Sequence, residues 1–232
     1  MQPDNPLMAQ AQATSVPLPL AQNRVLRNTY LLLALTMVPT VIGAFAGMAM
    51  APFMMGHMMA VSIVVFVAVL GLQFGIAANR NNGIGIALLL LMTGMLGAFL
   101  GPLLTIALSL SNGGFLVAYA ALGTGAIFFG MGAIAATTKR DFGFLGKFLY
   151  VGMWALVLAS VANMFFQIPA VALAISTLVI VVFSLFLLFD LQRIMNGGET
   201  NYILATTAVY MSLFNIFVNL LNILMALTGN RD

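Results

Sequence analysis

The chain has 232 residues, of which 62% are hydrophobic and only 6% are charged, against roughly a quarter charged in an ordinary soluble domain. A soluble fold of this length could not cover its surface with so few charges, so the composition points to a protein solvated by lipid. Cysteine is absent, which excludes disulfides and thiolate metal sites, and the net charge of +3 is a matter of membrane topology rather than of nucleic-acid binding.

In chain order, residues 1–23 come first. They hold four Pro among Gln and Ala, with no apolar period, and read as a flexible cytoplasmic tail ahead of a transmembrane domain over residues 24–232. Beyond them the charges come in clumps. Arg27 and Arg80 are separated by 52 uncharged residues, Arg80 and Lys139 by 58, Lys147 and Asp190 by 42, and Glu199 and Arg231 by 31. At roughly 20 apolar residues per crossing, the first three stretches each hold two helices and a tight turn, and the last holds one.

Turn-forming residues fall where those hairpins need them. Pro52, Gly56 and His57 divide the first stretch, Ser109, Ser111, Asn112, Gly113 and Gly114 the second, and Asn163, Gln167 and Pro169 the third. The expected fold is therefore an all-α membrane protein, a seven-transmembrane-helix bundle with spans near 29–50, 58–78, 84–108, 115–136, 148–165, 170–189 and 202–227. A cleaved signal peptide does not fit the start, because the first span is too long and its basic residues arrive only at Arg24.

Each hairpin crosses and returns, so the charge clumps share one side. Arg24, Arg27, Arg80, Lys139, Arg140, Lys147 and Arg193 lie there, and Arg231 lies opposite. Basic residues accumulate on the cytoplasmic face, which puts the N-terminus in the cytoplasm and the C-terminus outside.

Several polar residues sit within the spans. Ser212, Asn215, Asn219 and Asn222 recur at steps of three, four and three, which at about 100° per residue gathers them on one face of the seventh helix. Such a face points into the bundle, either as hydrogen-bonding glue between helices or as the wall of a polar cavity or ion path. Ser160, Asn163 and Gln167 make a second stripe in the fifth span, and Thr29, Thr36 and Thr40 a third in the first. Gly94, Gly97 and Gly101 line one face of the third span, where glycine lets two helix backbones approach.

Asp190, at the predicted end of the sixth span, is the one acid touching an apolar segment. It reads either as a boundary residue paired with Arg193 one turn on, or as a titratable gate or ion ligand at the cytoplasmic mouth. His57 lies in an outer turn with no Cys, acid or second His beside it, so zinc is not expected there. An intramembrane aspartyl protease needs two acids, and a serine protease needs a His beside its nucleophile. The chain is accordingly read as a non-enzyme with no catalytic residue, metal site or cofactor.

Two longer motifs carry a resemblance. The run Thr137-Thr138-Lys139-Arg140-Asp141-Phe142-Gly143-Phe144-Leu145-Gly146 after the fourth span, and Leu188-Phe189-Asp190-Leu191-Gln192-Arg193-Ile194 at the end of the sixth, resemble the signature segments of the Bax inhibitor (transmembrane Bax inhibitor motif) family. The segments Val25-Leu26-Arg27-Asn28-Thr29-Tyr30, Gly101-Pro102-Leu103-Leu104 and Gly197-Gly198-Glu199-Thr200-Asn201-Tyr202-Ile203 are similar to those of a proteobacterial branch of that family. The resemblance implies a multi-pass protein of the bacterial inner (cytoplasmic) membrane whose partner is the FtsH protease complex, which it modulates.

Other members are described as pH-sensitive calcium leak channels, in which an Asp ending the sixth helix and an Asp on the seventh form a proton-sensing latch. Asp190 matches the first position, with Arg193 beside it, but Ser212 occupies the second. The pair is incomplete here: one titrating group replaces two carboxylates that would share a proton. Ca2+ would be a ligand only on this channel reading.

The charge distribution yields a direct test. Reporter fusions at Arg80, Lys139 and Asn196 should report cytoplasm, and fusions after Arg231 the outside; a cytoplasmic C-terminus would overturn both the span count and the orientation.

Overall fold

The computed structural model describes residues 18–138 and 142–229. Lys139, Arg140, Asp141, Arg231 and residues 1–17 of the predicted tail lie outside the described residues. The described chain forms helices α1 (Leu18–Ala49), α2 (Ala51–Gly56), α3 (Met58–Ala78), α4 (Gly83–Phe99), α5 (Gly101–Ser109), α6 (Gly113–Thr137), α7 (Leu145–Phe166), α8 (Pro169–Met195) and α9 (Tyr202–Gly229). Seven stretches are long and apolar enough to cross a membrane, with α4 and α5 together making the third (Gly83–Ser109). The all-α seven-span bundle is the fold expected from the charge-free stretches.

Two helix ends differ from the sequence reading. The first helix begins at Leu18, so residues 18–23 belong to α1 rather than to the tail. At about 48 Å, its 32 residues exceed the roughly 30 Å of hydrocarbon, and the surplus extends on the side of Arg24 and Arg27. At the other end, α8 continues to Met195 instead of stopping before Asp190. Buried Leu187, Leu191 and Ile194, spaced at four and three, hold this last stretch against the bundle although charge has entered the sequence.

The third span is divided where Pro102 enters. Proline has no N–H to give the carbonyl of Ala98, so the helix is interrupted at Leu100 and resumes as α5. That carbonyl lies against Gly47 of α1, occupying the place where a Cβ would stand.

The same close approach runs along the whole seam between α1 and the third span, over α4 and the start of α5. A Cβ on Gly43 would collide with the backbone of Gly94, one on Gly97 with the carbonyl of Thr40, and one on Gly101 with the backbone of Gly47. Gly94 itself has ordinary clearance, with Pro39 at 3.5 Å. Glycine on both helices allows the backbones to touch, and dispersion over that contact replaces the hydrophobic drive that lipid cannot supply.

Helix α9 stands at the centre, packed against α1, α3, α4, α6 and α8. From Tyr202 to Ala226 none of its residues is exposed. In contrast, α7 packs on α8 alone among the stronger helix contacts, and its Ser160–Asn163–Gln167 stripe does not reach α9. Ser160 bonds back to the carbonyl of Leu156 at 2.8 Å. Asn163 closes the turn before α8 by accepting from the Ile168 N–H at 3.2 Å, while Gln167 takes the left-handed conformation (φ 52°) that ends α7.

The seam gives a stability prediction. Gly97→Leu or Gly101→Leu should cost about 3 kcal/mol or more, at or above the upper end of ordinary overpacking because the obstacle is backbone. Leu122→Ala, at a position 70% exposed on α6, should change little. Thermal unfolding in detergent measures this, and equal stability of the glycine variants and the parent would refute the close-packed seam.

Candidate functional site

Sequence reasoning placed the site where α8 and α9 meet, and the geometry there starts from the turn between them. Arg193 donates to the carbonyl of Gly198 at 3.1 Å and pairs with Glu199 at 3.3 Å. Glu199 in turn accepts from the Asn201 N–H at 2.9 Å. Among the described residues, the ion pair of Arg193 is thus with Glu199 across the turn, not with Asp190 one turn back as the boundary reading had it. Gly197 takes φ 74°, a conformation glycine adopts without strain, and this lets the chain double back.

Asn201 completes the turn. Its Oδ1 accepts from the N–H groups of Ile203 (3.0 Å) and Leu204 (3.1 Å), capping α9. Its Nδ2 donates to the Arg80 carbonyl at 2.8 Å and to Asn81 Oδ1 at 3.0 Å. One amide therefore fastens the α3–α4 turn to the foot of the central helix. On the other flank, Phe142 N–H donates to Gln192 Oε1 at 3.0 Å, and Gly146 leaves room for the ring of Phe189. Residues 142–146 of the first signature segment are thereby docked onto the last turns of α8, which carry the second.

Asp190 is half-buried, five residues before the end of α8, and Ser212 is buried ten residues into α9. By helical rise Ser212 stands about 7 Å further from the turn. Each Cβ tilts toward its own N-terminus, and because the helices are antiparallel these tilts bring the two side chains toward a common level.

Above them, the α9 stripe is half-buried at Asn215, Asn219 and Asn222. Its hydrogen bonds run along the helix: Asn215 Nδ2 donates to Met211 O and Asn219 Nδ2 to Asn215 O, both at 2.8 Å. The amides are held by their own helix, so these bonds do not glue α9 to a neighbour. On the α9 side, the bonds that do cross come from residues the sequence reading did not single out. Thr206 Oγ1 reaches the Thr29 carbonyl at 3.3 Å. Tyr210 OH meets Thr40 Oγ1 at 2.8 Å and the Thr93 carbonyl at 3.4 Å. The threonine face of α1 thus does converge on α9, through its own polar groups.

Beside this core a groove of about 620 Å³ opens between α1 and α6, lined by Tyr30, Ala34, Met37, Phe128, Gly132 and Met195 among others. Tyr30 and Phe128 meet edge to face across it, ring centroids 5.9 Å apart.

A seven-helix membrane bundle with a polar central helix and these two interlocked segments has counterparts among known proteins. The chain belongs to the Bax inhibitor family: residues 22–229 match the family described as "Inhibitor of apoptosis-promoting Bax1". It is 42% identical over 205 residues, 88% of this chain and 91% of the relative, to the Escherichia coli K12 protein named "Modulator of FtsH protease YccA". The same figures hold for the "Inner membrane protein YccA" of E. coli O6:H1. A membrane protein of Vibrio cholerae is 38% identical over 212 residues, covering 91% of this chain and 93% of its own length.

The Thr40–Tyr210 contact predicts a measurable coupling. In a double-mutant cycle of Thr40→Val and Tyr210→Phe, unfolding in detergent should show an interaction energy of about 1 kcal/mol. Strict additivity would mean that this bond does not tie α1 to α9.

Proposed function

We propose that this chain is a non-enzymatic, multi-pass protein of the bacterial inner membrane that restrains the FtsH protease by direct interaction. The observation that carries the reading is the 42% identity, over nearly the whole of both chains, to the E. coli protein named as a modulator of FtsH. The architecture supports it in two ways. A bundle held by backbone contact between glycines resists having one span pulled out of it. The residues ahead of Leu18 carry three Pro and no apolar period, the composition of a segment that an ATP-driven protease can engage.

FtsH should co-purify with the tagged protein from native membranes. Deleting residues 1–17 should lengthen the protein's half-life in cells with active FtsH by at least about twofold while it remains inserted, since the loss of a terminal segment whose sequence offers no apolar face to bury costs little stability. Absence of FtsH from the purified material would refute the direct interaction, and an unchanged half-life would refute the tail as a protease handle.

A second reading, a pH-sensitive calcium or cation leak, is favoured by one observation. The Asn215, Asn219 and Asn222 amides lie half-buried along the central helix, and carbonyl oxygens are suitable ligands for hard cations. With Ser212 in place of a second acid, calcium influx into proteoliposomes should be weak and nearly independent of pH. Ser212→Asp should introduce pH dependence, because two close carboxylates do not both ionise cheaply. Strong flux in the parent, abolished by Asp190→Asn, would establish the channel over the modulator.

A further inference from the structure

At the end of the bundle away from Arg80 and Arg193 the chain turns through α2 into α3, and its sequence there is unusual. Six of the 17 methionines, with the single histidine, fall between Met48 and Met59. Met50, Met55, Met58 and Met59 are 54%, 40%, 43% and 43% exposed, while Met54 is buried beneath them. Backbone bonds Met54 N–H to Met50 O (3.0 Å), His57 N–H to Met54 O (3.2 Å) and Val61 N–H to His57 O (2.9 Å) close the turn at its joints. His57 itself leaves the helical conformation (φ −130°, ψ 31°), so it stands at the elbow where α2 meets α3, with Met55, Met58 and Met59 all within two residues of it and Met50 one helix earlier.

The imidazole is prepared as a ligand. His57 Nδ1 lies 3.1 Å from the Phe53 carbonyl, and since a carbonyl oxygen can only accept, Nδ1 carries the proton and donates. Nε2 then holds the lone pair on an exposed ring. A backbone carbonyl fixing the tautomer and orientation in this way is the usual support of a metal-bound histidine. The Phe53 ring, 4.9 Å away between centroids, steadies the imidazole further.

We propose that this turn binds one soft monovalent cation, Cu(I) or Ag(I), through His57 Nε2 and thioethers drawn from Met50, Met55, Met58 and Met59. Thioether sulfur and imidazole are donors that Cu(I) favours, and neutral donors suffice for a singly charged ion. Zinc, calcium and magnesium have no such fit: no group of three His, Cys, Asp or Glu exists among the described residues, and thioethers serve those ions poorly. The absence of a metal site inferred from the sequence rested on that conventional ligand set, which leaves thioethers out of account.

The experiment uses the full-length protein in detergent, under nitrogen with ascorbate, competing for Cu(I) against bathocuproine disulfonate. One tight equivalent is expected, displaced by Ag(I) and not by Zn(II). His57→Gln, which removes the imidazole ligand itself, should weaken it by at least about tenfold, no less than losing a ligand's hydrogen-bonding support would cost. The Met55→Leu, Met58→Leu, Met59→Leu triple variant, which conserves volume at exposed positions, should lose the tight equivalent with its melting temperature unchanged. X-ray absorption of the copper-loaded parent should show sulfur with one imidazole nitrogen. Failure of the parent to compete with the chelator, retention of parental affinity in the triple variant, or a copper shell of oxygen and nitrogen alone would each overturn the proposal.

Discussion

The structure depends on one constraint: α9 cannot face lipid. Its hydroxyls and carboxamides would each lose hydrogen-bonding capacity in hydrocarbon, so the helix must be enclosed. Helices α1, α3, α4, α6 and α8 do so, and α7 and the outer faces of the rest then meet the bilayer with Leu, Val, Phe and Ile. The enclosing helices have no hydrophobic reason to cluster in lipid. What keeps them together is contact between backbones along α1 and α4 and a few hydrogen bonds from Thr206 and Tyr210.

Much of this was legible in the sequence, for physical reasons. Charge is so costly in hydrocarbon that the uncharged stretches measure the crossings directly, and all seven spans could be counted from them. Helix ends were less legible. Asp190 marked a boundary in the charge pattern but not in the helix, which continues through Leu191 and Ile194 because they bury against the bundle. Pro102 showed as a residue beside Gly101. That it frees the Ala98 carbonyl to lie against Gly47 required knowing which helix stands opposite.

The polar side chains show the same division. Periodicity put Asn215, Asn219 and Asn222 on one face, but spacing cannot say whether an amide bonds outward or back to its own helix, and the amides of Asn215 and Asn219 bond back. The crossing bonds come from Thr206 and Tyr210, which with Tyr202 recur every four residues, a second polar row whose partners spacing alone cannot name. Gly43 and Gly47 carry the same four-residue spacing as Gly97 and Gly101, so that half of the seam had a visible signal. Arg193 was paired with Asp190 on helical spacing alone. The left-handed Gly197 brings Glu199 round the turn, and no count along a helix anticipates a partner beyond the helix end.

Asn201 has a consequence for how the protein is assembled. Its carboxamide caps α9 on one side and holds the Arg80 carbonyl and Asn81 on the other, joining parts of the chain 120 residues apart in sequence. During synthesis the α3–α4 turn emerges long before its partner exists, and the pocket for α9 must wait open while six spans are laid down. The final helix is therefore a keystone. Its entry satisfies the α3–α4 turn, closes the Thr40–Tyr210 contact and covers the inward faces of its neighbours at one moment, so that insertion of the seventh span and consolidation of the bundle are the same event.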